Sequence, residues 1–308
     1  MSFAKLFFSI VLIIIAAAHA SAQGCSDAGF CTAGNFHALK EGSATTRLTR
    51  KNEVDLSFYY GTHGKSEKFF QPQINWKRFM STGSFIELRL PLNYAKDNNT
   101  GVSTTGVGDI IATYNNKFSL STKKKINYSI GFRSSFSNAA RSDGKSAIAY
   151  PMFLQSGLGT TDIIAVINYD VVKYLSVGTG VQLPLIQYNQ HKIMLPSLNS
   201  FLIGEGYRRK ADALLKITGH YQTGKFKINA GLLSIFHLGN DHYNTSGEKY
   251  ILQDSKGITL NWTTDCTYAF SARWKFNLLY AEPLKTRKNI PDGLARSRII
   301  VPKLSYSF

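Results

Sequence analysis

Past residue 22 the chain contains no run of the ~20 apolar residues that a membrane-crossing helix needs. Any passage through a bilayer therefore falls to strands. Acidic residues are scarce: 19 Asp and Glu stand against 36 Lys and Arg, a formal charge of +17. Such an excess suits anionic lipid or anionic solutes. The basic residues are scattered, however, and no basic helix, zinc-ligand spacing or RNA-binding motif accompanies them, which argues against nucleic acid. Only His237, Asp241 and His242 gather metal-binding side chains, at a spacing that matches no strong ligand pattern, so neither metal nor cofactor is expected. A serine hydrolase needs a serine beside a histidine base and a carboxamide or carboxylate that orients it. The one His-x-Ser is His19-Ala20-Ser21. His63, His220 and His237 have no serine neighbour in sequence, and no catalytic residue is expected.

Residues 1–22 read as a secretory signal. Lys5 supplies the positive start, Leu6 to Ala18 the apolar core and Ala20-Ser21-Ala22 the cleavage site. Residues 23–51 show no strand pattern and read as a periplasmic leader or a small plug. Cys25 and Cys31 are close enough to form a disulfide in an oxidising compartment. Ala22-Gln23-Gly24-Cys25 resembles a lipoprotein box without its aliphatic head residue, which leaves lipidation as the alternative.

From residue 52 to 308 apolar and polar residues alternate with period two. Val54, Leu56, Phe58 and Tyr60 oppose Asp55, Ser57, Tyr59 and Gly61. Ile86, Leu88, Leu90, Leu92 and Tyr94 oppose Glu87, Arg89, Pro91 and Asn93. Leu215, Ile217 and Tyr221 oppose Lys216, Thr218 and His220. At the end of the chain Ile300, Pro302, Leu304, Tyr306 and Phe308 oppose Ile299, Val301, Lys303, Ser305 and Ser307. About twelve strands of roughly ten residues result, the length a tilted strand needs to cross a bilayer. Short connections near 81–83, 121–123, 173, 222–225 and 271–273 alternate with mostly long polar ones at 96–108, 134–161, 190–210, 240–256 and 285–297, the first such link, 64–67, alone being brief. Short periplasmic turns and long extracellular loops alternate in this way in outer-membrane barrels. The fold class expected is all-β: a closed antiparallel transmembrane barrel, monomeric, in the outer membrane of a Gram-negative bacterium. Both termini fall in the periplasm, and the terminal strand is the element presented to the barrel-assembly machinery.

The inner face then carries charges of both signs. Arg89, Asp109, Arg133, Asp162, Lys216 and Asp265 are candidates to line a solute path, with cross-linked filling as the other reading. Gly131, Gly178, Gly180 and Gly231 face inward and are expected to open local space, with relief of crowding at curved strands as the other reading. The clusters Arg208-Arg209-Lys210 and Lys285-Thr286-Arg287-Lys288 fall at extracellular ends, where lipopolysaccharide phosphates lie. Arg208, Arg209, Lys210, Arg287 and Lys288 are therefore expected to hold lipid headgroups.

Gly108-Asp-Ile-Ile-Ala112 and Thr161-Asp-Ile-Ile-Ala165 nearly repeat, each opening a strand after an extracellular loop. Gly106-Val-Gly-Asp109, Pro291-Asp-Gly-Leu294 and the terminal Tyr-Ser-Phe together resemble the outer-membrane barrels named after the meta-cleavage pathway of phenol degradation. These are similar to the fatty-acid and aromatic-hydrocarbon transporters. The resemblance implies passive uptake of a small, often hydrophobic solute. A second Gly-x-Gly-Asp is degraded here to Gly159-Thr-Thr-Asp162. A closed barrel with a structural or surface-binding role, and an outer-membrane lipid hydrolase, are the alternatives.

Overall fold

The computed structural model describes residues 51–63, 67–81, 83–119, 125–196, 201–245, 248–293 and 298–308. The signal segment, the stretch 23–50 and the Cys25–Cys31 pairing lie outside the described residues. Seventeen strands are described: β1 (Asn52–His63), β2 (Glu67–Phe79), β3 (Ser84–Asp97), β4 (Ser103–Val107), β5 (Ile110–Ser119), β6 (Lys125–Ser134), β7 (Thr160–Val172), β8 (Leu175–Gln187), β9 (Lys192–Pro196), β10 (Phe201–Arg208), β11 (Asp212–Thr223), β12 (Phe226–His237), β13 (His242–Asn244), β14 (Lys249–Ile251), β15 (Gly257–Ala269), β16 (Trp274–Lys285) and β17 (Ile299–Ser307).

Twelve of them form a closed antiparallel barrel. β1 pairs with β2 on one side and β17 on the other, with Val54 opposite both Trp76 and Tyr306. The seam continues to the last residue, where Asn52 and Phe308 exchange two backbone hydrogen bonds of 2.9 Å. Closure gives each of the twelve barrel strands a partner on both sides, the condition for a sheet to stand in hydrocarbon.

Each strand keeps the alternation of its sequence. β2 buries Phe69, Gln71, Gln73, Asn75 and Lys77 and exposes Phe70, Ile74 and Trp76. Exposed apolar residues continue round the wall through Leu88, Leu90, Ile130, Ile167, Leu183, Leu215, Ile217, Leu232, Leu278 and Leu304. A monomer in water does not tolerate such an area; a lipid-facing wall requires it. Aromatic pairs ring the short-turn end, among them Trp274 with Tyr306 at 4.6 Å, Phe226 with Tyr268 at 4.6 Å, and Tyr306 stacked on Phe308.

At the other end the long connections are built structures. β4 folds back on the upper half of β3 before β5 takes up its lower half. Strands β9, β10, β13 and β14 form a second sheet standing on β8, β11, β12 and β15. The link 190–210, which read as a polar loop, is therefore largely strand, and 240–256 contributes two short strands.

The seam is tied from inside as well. Lys77 Nζ lies 2.7 Å from Glu53 Oε1 and 2.8 Å from Asp55 Oδ2. Glu53 Oε2 accepts from Ser307 Oγ at 3.1 Å and meets Lys275 Nζ at 3.4 Å. Glu53 is 5% and Lys77 1% exposed. Removing one member of a buried pair costs about 3–5 kcal/mol, and Asp55 retains part of the charge balance. Glu53→Ala is expected to lose about 3 kcal/mol, read as a lower urea midpoint in lipid vesicles and a lower temperature for the gel-mobility shift of the folded barrel.

Candidate functional site at the long-loop mouth

The lumen has three levels. Nearest the short turns lies a polar level built from Glu53, Asp55, Lys77 and Glu87, with Lys275 and Lys303 on the adjoining strands β16 and β17 and Lys216, Lys227 and Asp265 on the facing wall. Arg89 stands at its upper margin and pairs with Glu87 at 2.8 Å. On that facing wall Ser176 Oγ lies 2.8 Å from His220 Nε2, His220 Nδ1 2.9 Å from Asn229 Oδ1, and Asn229 Nδ2 donates to Asp265 at 2.6 Å. Sequence spacing gave no hint of this serine–histidine contact, because it joins strands 44 residues apart. The connectivity is that of an activated serine, but Ser176 is 3% exposed, and the chain of bonds anchors the imidazole in its wall.

The middle level is apolar: Ile111, Ile164, Val166, Leu214, Leu233, Ile235, Ala281, Ile299 and Val301 form one buried cluster, flanked by Tyr59 and Leu279. Gly131 and Gly231 do not open space beside it. A Cβ at either would run into the neighbouring strand, against the carbonyl oxygens of Ala112 and Ile217. These positions let the backbones approach and give nothing to the lumen.

The upper level is a charged network. Arg133 binds Asp162 at 2.7 Å and lies 3.5 Å from Asp109. Arg209 contacts Asp212, reaches Asp292 at 3.4 Å and lies 4.0 Å from Asp162. Arg287 binds Asp292 at 2.5 Å and the Ser255 carbonyl at 3.1 Å. His237 bridges Asp212 (2.6 Å) and Asp241 (2.8 Å). Carboxylate oxygens only accept, so both ring nitrogens carry protons, and four cations face five carboxylates. Burial pushes the Asp292 carboxyl up, but Arg287, Arg209 and His237 outweigh it and hold it at about 2. Burial also raises Asp109, and there Arg133 and Ser135 offset only part of the rise.

The second sheet closes over this network. Tyr207 donates to Asp241 at 2.6 Å, and burial, reinforced by Asp241, lifts its phenol well above the usual range. His191 Nε2 faces the Tyr150 carbonyl at 2.9 Å and so bears the proton, leaving Nδ1 to accept from Tyr243 at 2.7 Å. Burial keeps that ring below the ordinary histidine value.

A segment over residues 151–158, with a 3-10 turn at Met152–Leu154, lies across the opening. Thr104 holds the Leu154 carbonyl at 2.6 Å and Asn93 the Ser156 carbonyl at 2.5 Å. Gly293, at φ +67°, packs against the Met152 and Phe153 backbone where a Cβ would collide. Between this segment and the wall remains a cavity of about 50 Å³ lined by Asp109, Arg133, Gln73, Asn93, Phe153 and Gly293 among others. It has room for a few waters and is too small for an organic solute.

Of the six residues expected along a path, Asp109, Arg133 and Asp162 converge here, whereas Arg89, Lys216 and Asp265 sit at or below the apolar belt. The two arginines at the centre of the expected headgroup clusters are placed differently from that expectation. Arg209 is 1% and Arg287 5% exposed, drawn inward because the buried Asp212 and Asp292 need partners. Lys288 is exposed and paired with Asp254 at 2.5 Å. Arg208 and Lys210 remain on the outside.

No family model matches the chain, and no curated protein matches it in sequence. Solved structures do. An outer-membrane channel of Pseudomonas putida F1 superposes with a TM-score of 0.61 at 11% identity, over 84% of this chain and 96% of that one. The architecture is that of the outer-membrane barrels. The translocator domain of the autotransporter NalP from Neisseria meningitidis also matches, with a TM-score of 0.50 at 11% identity, over 91% of this chain and 95% of that one. Likeness at these identities speaks for the fold alone.

Two outcomes follow. Gly293→Val is expected to push the 151–158 segment off the mouth and raise single-channel conductance in planar bilayers. Because the Asp292 carboxyl is depressed, its ion pairs contribute fully above the ordinary carboxylate range and are lost as pH falls toward about 2. Pepsin should accordingly spare the 286–293 connection at about pH 4 and cut it near pH 2.

Proposed function

We propose that this protein is an outer-membrane channel for a small organic solute with an apolar body and an anionic group. We further propose that it belongs with the barrels named after the meta-cleavage pathway of phenol degradation. The observation that carries this reading is the apolar belt of Ile111, Ile164, Val166, Leu214, Leu233, Ile235, Ile299 and Val301 inside the lumen. Rigid filling of a barrel can be done wholly by paired polar groups; a hydrocarbon cluster across the path favours an apolar traveller over water and ions.

Charge supports the same choice. Below the belt Lys77, Arg89, Lys216, Lys227, Lys275 and Lys303 face the lumen with Asp265 on β15 and Glu53, Asp55 and Glu87 on β1 and β3. Lys77 and Arg89 are held by Glu53, Asp55 and Glu87, and Lys275 also meets Glu53, but the cations outnumber the acids where the solute would leave the belt. The neighbouring solved structure is itself described as an outer-membrane channel. The motif residues Asp109, Asp292 and Gly293 come from distant parts of the chain and meet at the mouth, as a shared gate would require.

The closed mouth favours a second reading, a sealed barrel with a structural or surface-binding role. Uptake by proteoliposomes separates the two. Wild type and Gly293→Val should admit an aromatic carboxylate faster than a sugar of equal mass, and Lys216→Gln with Lys303→Gln should lower the anion-to-cation permeability ratio several-fold. Liposomes that stay impermeable with both proteins would leave the sealed barrel.

A further inference from the structure

The outer face of the second sheet, above the lipid-facing wall, gathers cations that the mouth network does not use. Arg208 on β10 stands opposite His242 on β13, which in turn stands opposite Ile251 on β14. Lys249 lies two residues before Ile251 and pairs with Asn244, two residues after His242, so Lys249, Ile251, His242 and Asn244 share one face. Tyr243, between His242 and Asn244, packs inward. Lys210 joins the group from the turn into β11. Its amide donates to Asp241 Oδ1 at 2.8 Å, and its stem lies across Gly239, with Cγ 3.1 Å from where a Cβ would stand. Arg208 is fixed by donating Nη1 to the Asn189 carbonyl at 3.2 Å. The field of Lys210, Lys249 and Arg208 on His242 adds to burial in lowering its imidazole, as three cations around one ring should.

Among the described residues, none of Arg208, Lys210 and Lys249 has an ion-pair partner, although the nearby Lys192 is held by Glu205 at 2.6 Å. Beside the cations Leu238 and Ile251 are 52% and 51% exposed. The height of the cluster is also defined. β11 has 12 residues; at about 3.3 Å each and a tilt near 40° it climbs about 30 Å. Residues just beyond its start then stand at the headgroup level of the outer leaflet.

We propose that Arg208, Lys210 and Lys249, around His242, form a site for the phosphate of an outer-leaflet glycolipid, with Leu238 and Ile251 against its acyl chains. A phosphate monoester offers three acceptor oxygens and close to two charges, which suits three converging cations. The apolar neighbours select a lipid-borne phosphate over a free one. The site keeps only part of the basic run visible in sequence: Arg209 turns inward, and Lys249 arrives from 39 positions further on.

Native mass spectrometry of the detergent-purified full chain, titrated with bisphosphorylated lipid A, tests this. Wild type should bind it at least tenfold more tightly than the same lipid after phosphatase treatment. Lys210→Ala with Lys249→Ala should lose at least tenfold in affinity, while Lys285→Ala with Lys288→Ala should bind as wild type does. Both lysines of the first pair are exposed, so its gel-mobility shift should match wild type. If phosphatase treatment leaves affinity unchanged, or the Lys210 and Lys249 variant binds normally, the proposal fails. If millimolar inorganic phosphate displaces the lipid completely, the site takes free phosphate and the lipid assignment is overturned. The outcome does not depend on whether the lumen conducts.

Discussion

A strand in hydrocarbon has to pair every peptide N–H and C=O, because an unmet group there costs several kcal/mol and lipid supplies no partner. One sheet meets that demand only by returning to its own first strand, as β17 does on β1. The rest of the molecule follows. With the wall closed, alternate side chains are committed to lipid. The other half must fill a cylinder of twelve strands, wider than the eight-stranded barrels that side chains alone fill and narrower than the sixteen-stranded ones that leave a water channel. The 151–158 segment and the second sheet complete the filling at one end.

The two charged levels are built from different cations, and the choice has mechanical sense. All three strong bases of the mouth are arginines. A planar guanidinium presents five donors in a fixed fork, so Arg209 can meet Asp162, Asp212 and Asp292 at once. That joins β7, β11 and the connection before β17 into one rigid knot. Below the belt most cations are lysines, point charges on flexible stems, which hold position less firmly than a guanidinium fork.

The wall was legible in the sequence because lipid on one face enforces period two; Leu215, Ile217 and Tyr221 stand outward as read. The belt was harder to see. In Asp162-Ile-Ile-Ala-Val-Ile167 both faces are apolar, so Ile164 and Val166 leave no alternation to notice. Ile299 and Val301 were placed inward without a reason for their chemistry. The mouth was hidden for another reason: Arg209 and Asp292 are 83 residues apart, and a run of three basic residues reads as surface when nothing local shows that the middle one has buried acids to satisfy. The second sheet escaped because its strands are three to eight residues long and sit among polar residues.

The bond between Ser307 and Glu53 spans 254 positions, and this has a kinetic side. Bringing the ends of so long a loop together costs chain entropy that no earlier contact repays. Pairing between the first and last strands is thus the slowest kind of contact to form. Until it forms, β1 and β17 each present an open edge that another chain could join. In the polar knot the Glu53–Lys77 pair can form within the first hairpin, whereas the bonds of Glu53 to Ser307 and Lys275 wait for the last strands and tie the finished seam from inside.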